Sequence, residues 1–371
     1  MRRRTASVVA GLVAGLVLLA GCGASGQGQA AASGGSRPAL GEVDALEDPR
    51  AYEGPSTALL SDAEIAPAAE DPATSLPTTV TSHRQDGSEE QIEVAAADRV
   101  VAVDLAGSIA ASVWALGLGD TLVGVDQSTT FPGTEDIETV TSGGHTINAE
   151  AIIGLDPDVV ITDGTVGPRD VVEQLRDVGI TVVFVESDPS FDGAQDLVRQ
   201  VAAVYGADEA GESLAQRIGE DVERTIAEVE EIAPDGESDR VRMLFLYLRG
   251  SAGVYYMFGE ESGADELIDA LGGVDVAGEL GWEGMRPMTD EALVAANPDL
   301  ILTMTGGIES VGGVDGLLAE KPAIALTAAG EHRRIVDMDD GAVLSFGPRA
   351  ADVLDALARA VYAPEPADGE R

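Results

Sequence analysis

Short apolar runs punctuate the chain at intervals that suit buried strands. Arg99–Val103, Leu122–Val125, Val159–Thr162, Val182–Val185, Met243–Tyr247 and Leu300–Met304 are each four or five residues long and rich in Val, Ile and Leu. Met243–Leu246 reads as a strand covered on both faces, and the other runs read as strands that continue the series. Between them lie helical patterns at Ser108–Leu116, which carries Trp114 and stops at Gly117–Gly119, at Val171–Val178 and at Ala194–Tyr205. Strands alternating with helices predict parallel sheets. Before the series, Thr78–Thr81 and Gln91–Val94 flank Asp86-Gly87, which predicts a hairpin.

One helical pattern is far longer than the others. Asp208–Ile232 contains no Pro and ends at Pro234-Asp235-Gly236. Its length exceeds the usual helix and suits a rigid connector. A weak repeat supports that reading. Glu150-Ala151-Ile152-Ile153-Gly154-Leu155-Asp156-Pro157-Asp158 feeds the strand at Val159, and Glu291-Ala292-Leu293-Val294-Ala295-Ala296-Asn297-Pro298-Asp299 feeds the strand at Leu300. A duplicated unit on either side of the connector means two similar halves rather than a solenoid. The expected fold is α/β: two Rossmann-like lobes with parallel sheets, residues 78–207 and 234–362, joined by one long connecting helix, 208–233, with a tail at 363–371.

Charge narrows the partners. The 371 residues hold 66 acidic against 22 basic side chains, a formal net charge of −44, and Lys321 is the only lysine. Nucleic-acid binding needs basic surface, and a peripheral hold on anionic lipid needs the same; both are argued against. So large a charge favours a soluble monomer. Residues 23–77, rich in Gly, Ala, Ser, Pro and acids, read as a flexible tether. At the start, Arg2, Arg3 and Arg4 precede an apolar run, Val8–Ala20, too short to span a bilayer. It ends in Leu19-Ala20-Gly21-Cys22, and Cys22 is the only Cys, so no disulfide forms within one chain. This segment resembles the lipobox of bacterial lipoproteins. The resemblance implies a signal peptide over 1–22, a lipid on Cys22, and a protein anchored at the cell membrane on its extracytoplasmic face.

The candidate chemistry sits at a strand end. Tyr247 and Arg249 are two apart and share a face of the strand, at its C-terminal end before Gly250. In an open α/β sheet that end borders the ligand crevice. A neighbouring positive charge stabilises a phenolate, and tyrosinate is a known axial ligand of haem iron. An ordinary strand-end Tyr beside a surface Arg has the same sequence. Of the three His, His83 and His332 sit in polar surroundings that suggest solvation. His145 follows Gly143-Gly144 in a loop just before the repeat helix, and imidazole is a common haem ligand. Tyr255, Tyr256, Met257, Trp282, Met285 and Met288 suit either a flat ring or the core. Arg286 and Arg349 are candidates for pairing with a carboxylate. No phosphate-binding loop, zinc-protease signature or nucleophile elbow stands out, so an enzyme is not expected.

Together the lipobox, the tether, the two lobes, the spanning helix and the repeat resemble substrate-binding lipoproteins of the ABC importers that take up iron complexes and cobalamin. Gly143-Gly144-His145-Thr146 and Tyr247-Leu248-Arg249-Gly250 further resemble the haemin-binding lipoproteins of actinobacterial haem importers. That resemblance implies haem b as the transported ligand, with His145 and Tyr247 as metal ligands and Arg249 hydrogen-bonded to the Tyr oxygen. It implies Glu150 and Glu291 as the docking residues for a permease dimer with its ATPase. A ferric siderophore or cobalamin is the alternative ligand on the same fold.

Overall fold

A computed structural model provides the fold and describes residues 37–83, 87–236, 238–250 and 253–365. The expected signal peptide, Cys22, residues 23–36 and the end of the tail lie outside the described residues. In the first lobe, five parallel strands pair in the order Thr181–Phe184, Val159–Thr162, Val100–Val103, Leu122–Val125, Glu138–Thr139. The strands Val100–Val103 and Val159–Thr162 are buried at every position, which is why their sequences are apolar without alternation. The hairpin forms as expected, Thr78–His83 against Glu89–Val94.

In the second lobe, Ser56–Ala58, Ile335–Met338, Leu300–Met304 and Arg242–Arg249 run parallel, and Val254–Phe258 and Met285–Pro287 add antiparallel strands beyond Arg242–Arg249. The hairpin turns the strand of Tyr247 back on itself directly after Arg249.

The connector is a helix over Asp208–Ile232, 25 residues and about 37 Å long at 1.5 Å per residue. Asp208 and Glu209 in its first turn suit the positive end of the helix dipole. Leu214, Ile218, Val222 and Val229 are buried on one stripe, against one helix of each lobe, Phe191–Val204 and Ala350–Tyr362. A single hydrophobic core, from Val100 and Ile109 to Phe245 and Val336, runs through both lobes, and each sheet has a second core on its outer face.

One expectation fails. Residues 38–77 are not a free tether but a strap on the folded body. Leu40, Ala58 and Ile65 are buried. Ser56–Ala58 extends the second lobe's sheet. Farther on, the Ala68 amide donates to Ala115 O and the Ser75 amide to Tyr205 O, both in the first lobe. The strap therefore belongs to neither 78–207 nor 234–362 and touches both. His332, expected in solvent, is half-buried, with Nδ1 2.9 Å from Arg50 O in this strap.

Candidate functional site

Each strand of the first lobe's central trio is followed at once by an Asp: Asp104 after Val103, Asp126 after Val125, Asp163 after Thr162. Parallel pairing sets the three at one edge, the C-terminal edge where α/β sheets bind ligands. Asp104 accepts from the amides of Ser108 and Ile109 at 2.8 and 3.1 Å. Burial, then the charge of Asp163, pushes its carboxyl up to about 7. Burial likewise raises the Asp163 carboxyl.

Asp126 holds the candidate imidazole. His145 lies in the loop of a two-stranded ribbon, Thr141–Ser142 with Thr146–Ile147. Gly143, Gly144 and His145 all have positive φ, 54°, 92° and 62°. The glycines adopt this freely; a His does so under strain that its surroundings must hold. His145 Nδ1 is 3.0 and 3.2 Å from the two oxygens of Asp126, whose side chain is 0 % exposed. The same carboxylate accepts from Thr141 Oγ1 at 2.7 Å and from the Ser128 amide at 2.8 Å. On the other side of the ring, Gln127 Nε2 lies 3.2 Å from His145 Nε2.

The second wall is the strand Arg242–Arg249. Tyr247 is half-buried after four buried residues. Its ring stacks with Phe258 at 6.1 Å between centroids, and Tyr256 lies directly opposite on the partner strand. The Arg249 guanidinium carbon is 5.9 Å from the centroid of the Tyr247 ring. Among the described residues Arg249 makes no hydrogen bond to the phenol oxygen, so that implied contact is replaced by one with the ring. Across the cleft, a Cβ added at Gly144 would meet Arg249 Nη1 at 3.8 Å. The loop of His145 and the strand end of Tyr247 thus face each other from different lobes. Partial burial pushes the nearby Asp340 carboxyl up, and Arg249 acts on it in the opposite sense.

The structure does not bring the two further arginines to this place. Arg286 pairs with Met257, whereas Tyr256 and Tyr247 pair with each other. Residues one apart point to opposite faces, so Arg286 projects away from the Tyr247 side, where its Nε donates to Glu283 O. Arg349 is buried at the junction of the lobes. Its guanidinium carbon is 5.7 Å from the Phe131 centroid and its Nη2 donates to Gly341 O. Burial lowers its pKa. Tyr255 and Met257 belong to the outer core, with the Tyr255 hydroxyl donating to Glu320. Asp126, Gln127 and the two raised carboxylates escaped the sequence reading. The signal was an Asp at the exit of three consecutive buried strands.

Glu150 and Glu291 occupy the same place in their lobes, the second position of the helices Ala149–Gly154 and Asp290–Ala296. Both are exposed. Capping falls to Asn148 and Thr289, whose side chains accept from the amides of Ala151 and Ala292.

Comparison with known proteins agrees with this architecture. The haem-binding protein HmuT has a solved structure that is 38 % identical, covers 85 % of this chain and 99 % of its own, and superposes with a TM-score of 0.79. An ABC transporter substrate-binding lipoprotein of Bacillus subtilis, YvrC, is 28 % identical over 67 % of this chain and 76 % of its own length. A cobalamin-binding protein of Halobacterium salinarum is 27 % identical over 70 % and 69 %. The family described as periplasmic binding protein matches residues 100–342, and the chain belongs to it.

Proposed function

We propose that this protein captures haem outside the cytoplasm and delivers it to the permease of an ABC importer. The observation that carries this reading is the opposition of His145 and Tyr247–Arg249 across the cleft, with the His pinned by a buried carboxylate. An imidazole and a phenol on facing walls form a donor set for the two axial positions of ferric haem. His145 Nε2 is the ligand atom on one face and the Tyr247 oxygen on the other. Arg249, its guanidinium carbon 5.9 Å from the Tyr247 ring centroid, puts a positive charge on the same wall. Phe258 and Tyr256 give that wall an apolar surface for a flat macrocycle. The family and the similar proteins are binding proteins, and this reading asks only ligation of the site.

Titration of the purified protein with haemin, followed by absorption, tests the reading. Tyr247→Ala is expected to shift the Soret and charge-transfer bands, and His145→Ala to change the spin state or weaken binding. Identical spectra in both variants would exclude these ligands. Because the Halobacterium relative is a cobalamin-binding protein, cyanocobalamin is the competitor of choice. Displacement of haemin at equal concentration would favour cobalamin as the ligand.

The same reading anchors the protein by lipid at Cys22. Among the described residues no helix is long and apolar enough to cross a membrane. Cys22→Ala is expected to move the protein from the membrane fraction to the soluble exported fraction, and retention in the membrane would refute the anchor. Docking to the permease falls to Glu150 and Glu291. Each helix also exposes an apolar residue three positions on, Ile153 at 42 % and Val294 at 44 %, so the two lobes present matched patches of acid and hydrocarbon.

A further inference from the structure

Two neighbours decide what His145 offers to a metal. Both Asp126 oxygens act as acceptors, one from the Ser128 amide and one from Thr141 Oγ1, so the 3.0 Å contact with His145 Nδ1 casts Nδ1 as the donor and places the ring proton there. Asp126 is fixed in turn: Thr141 Oγ1 donates to it, and that same oxygen accepts from the Gln127 amide at 2.9 Å. With Nδ1 protonated, Nε2 keeps its lone pair. At Nε2 stands the side-chain amide of Gln127, 3.2 Å away, and an amide nitrogen donates. One buried carboxylate and one exposed side-chain amide therefore hold both nitrogens of a residue whose backbone is strained at φ 62°.

We propose that Asp126 is the positioning residue of the His145 ligand, fixing its tautomer and its basicity, and that Gln127 is the placeholder that the iron displaces from Nε2. This rests on the haem reading above. A carboxylate on the far nitrogen of a metal-bound imidazole orients the ring and raises its donor strength. A stronger neutral-to-anionic donor favours ferric over ferrous iron. Gln127 keeps the lone pair occupied and the ring in place until the iron takes over the contact.

Nitrogen-15 NMR of the ligand-free wild-type protein reads the tautomer directly, with His145→Ala assigning the signal among three His. The Nδ1–H form is expected; a dominant Nε2–H form would overturn the proposal. In the haemin-loaded protein, Asp126→Asn is expected to release haem about tenfold faster. It is also expected to raise the midpoint potential by about 59 mV, a tenfold change for a one-electron couple. A change of off-rate at wild-type potential would reduce Asp126 to a packing role and overturn its assignment. Gln127→Ala is expected to speed haem association severalfold while leaving the potential unchanged. An unaltered or slower association would overturn the placeholder. The tautomer measurement uses wild-type protein and stands even where Asp126→Asn fails to fold. Failure of the haem reading itself is distinct: His145→Ala would then leave the haemin spectrum untouched.

Discussion

At the scale of single residues, the least expected feature is a carboxyl whose pKa burial raises toward neutrality. Asp104 is 2 % exposed, and burial together with Asp163 pushes it up to about 7, against the pull of the Ser108 and Ile109 amides. In an unfolded chain it ionises near 3.9. Between those values the folded chain holds a proton that the unfolded chain has released. Stability therefore falls as pH rises through this window, by at most about 1.4 kcal/mol per pH unit. Asp104→Asn keeps the shape without the charge, and its denaturant midpoint is expected to depend less on pH from 5 to 8, so that the variant gains on wild type toward pH 8. Parallel profiles would show that Asp104 ionises normally. That Tyr247 and Arg249 end one strand on a shared face was legible in the sequence, because strand alternation fixes the face of residues two apart. The Asp residues were not, because an acid after a strand looks like an ordinary loop residue until pairing lines up three strands. Arg286 was misjudged for the same reason: its face depends on the register with Met257, which no local pattern carries.

At the scale of elements, the strands and the connector followed from apolar patterning, whereas the strap did not. Residues 38–77 bury few large side chains, and composition reports only those. What orders the strap is backbone pairing: with Ile335–Met338 at the sheet edge, and with the C-terminal ends of the helices Ser108–Ala115 and Phe191–Val204. Those two contacts use glycine. Gly117 and Gly206 have φ of 86° and 61°, and a methyl on either would run into a strap carbonyl, that of Ala69 or Ser75. Both the left-handed backbone and the close approach demand a bare Cα. Gly117→Ala with Gly206→Ala is expected to lift the strap from the first lobe. The melting temperature should fall by several degrees, and residues 59–77 should become the first site of limited proteolysis. Wild-type cleavage kinetics in the double variant would mean that the strap is held by its sheet strand alone.

At the scale of the whole molecule, the repeat and the connector explain how one chain presents two equivalent patches at a fixed spacing. The lobes share a core, and a 25-residue helix packs against both. The positions of Glu150 and Glu291 are therefore set by the fold rather than by loops. The duplication was visible in sequence, since each copy opens with Glu and closes at Pro-Asp. That the glutamates are spared from capping was not visible, because Asn148 and Thr289 take that part only in three dimensions. A carboxylate in a first turn is favoured by the helix dipole in any case, so the decisive test must separate docking from helix stability. Exposed charges at an interface govern encounter and register, and they matter less to the fold of either partner. Glu150→Arg with Glu291→Arg is expected to abolish haem uptake by cells while the purified protein binds haemin with unchanged affinity and melts within a few degrees of wild type. Ile153→Ser with Val294→Ser is expected to weaken uptake with the same intact binding, because the apolar contact beside each acid is lost without any change of charge. Full uptake by the charge-reversed variant would reduce both glutamates to surface residues. Loss of haemin binding would instead place them at the cleft, on the wrong side of the helices that carry them.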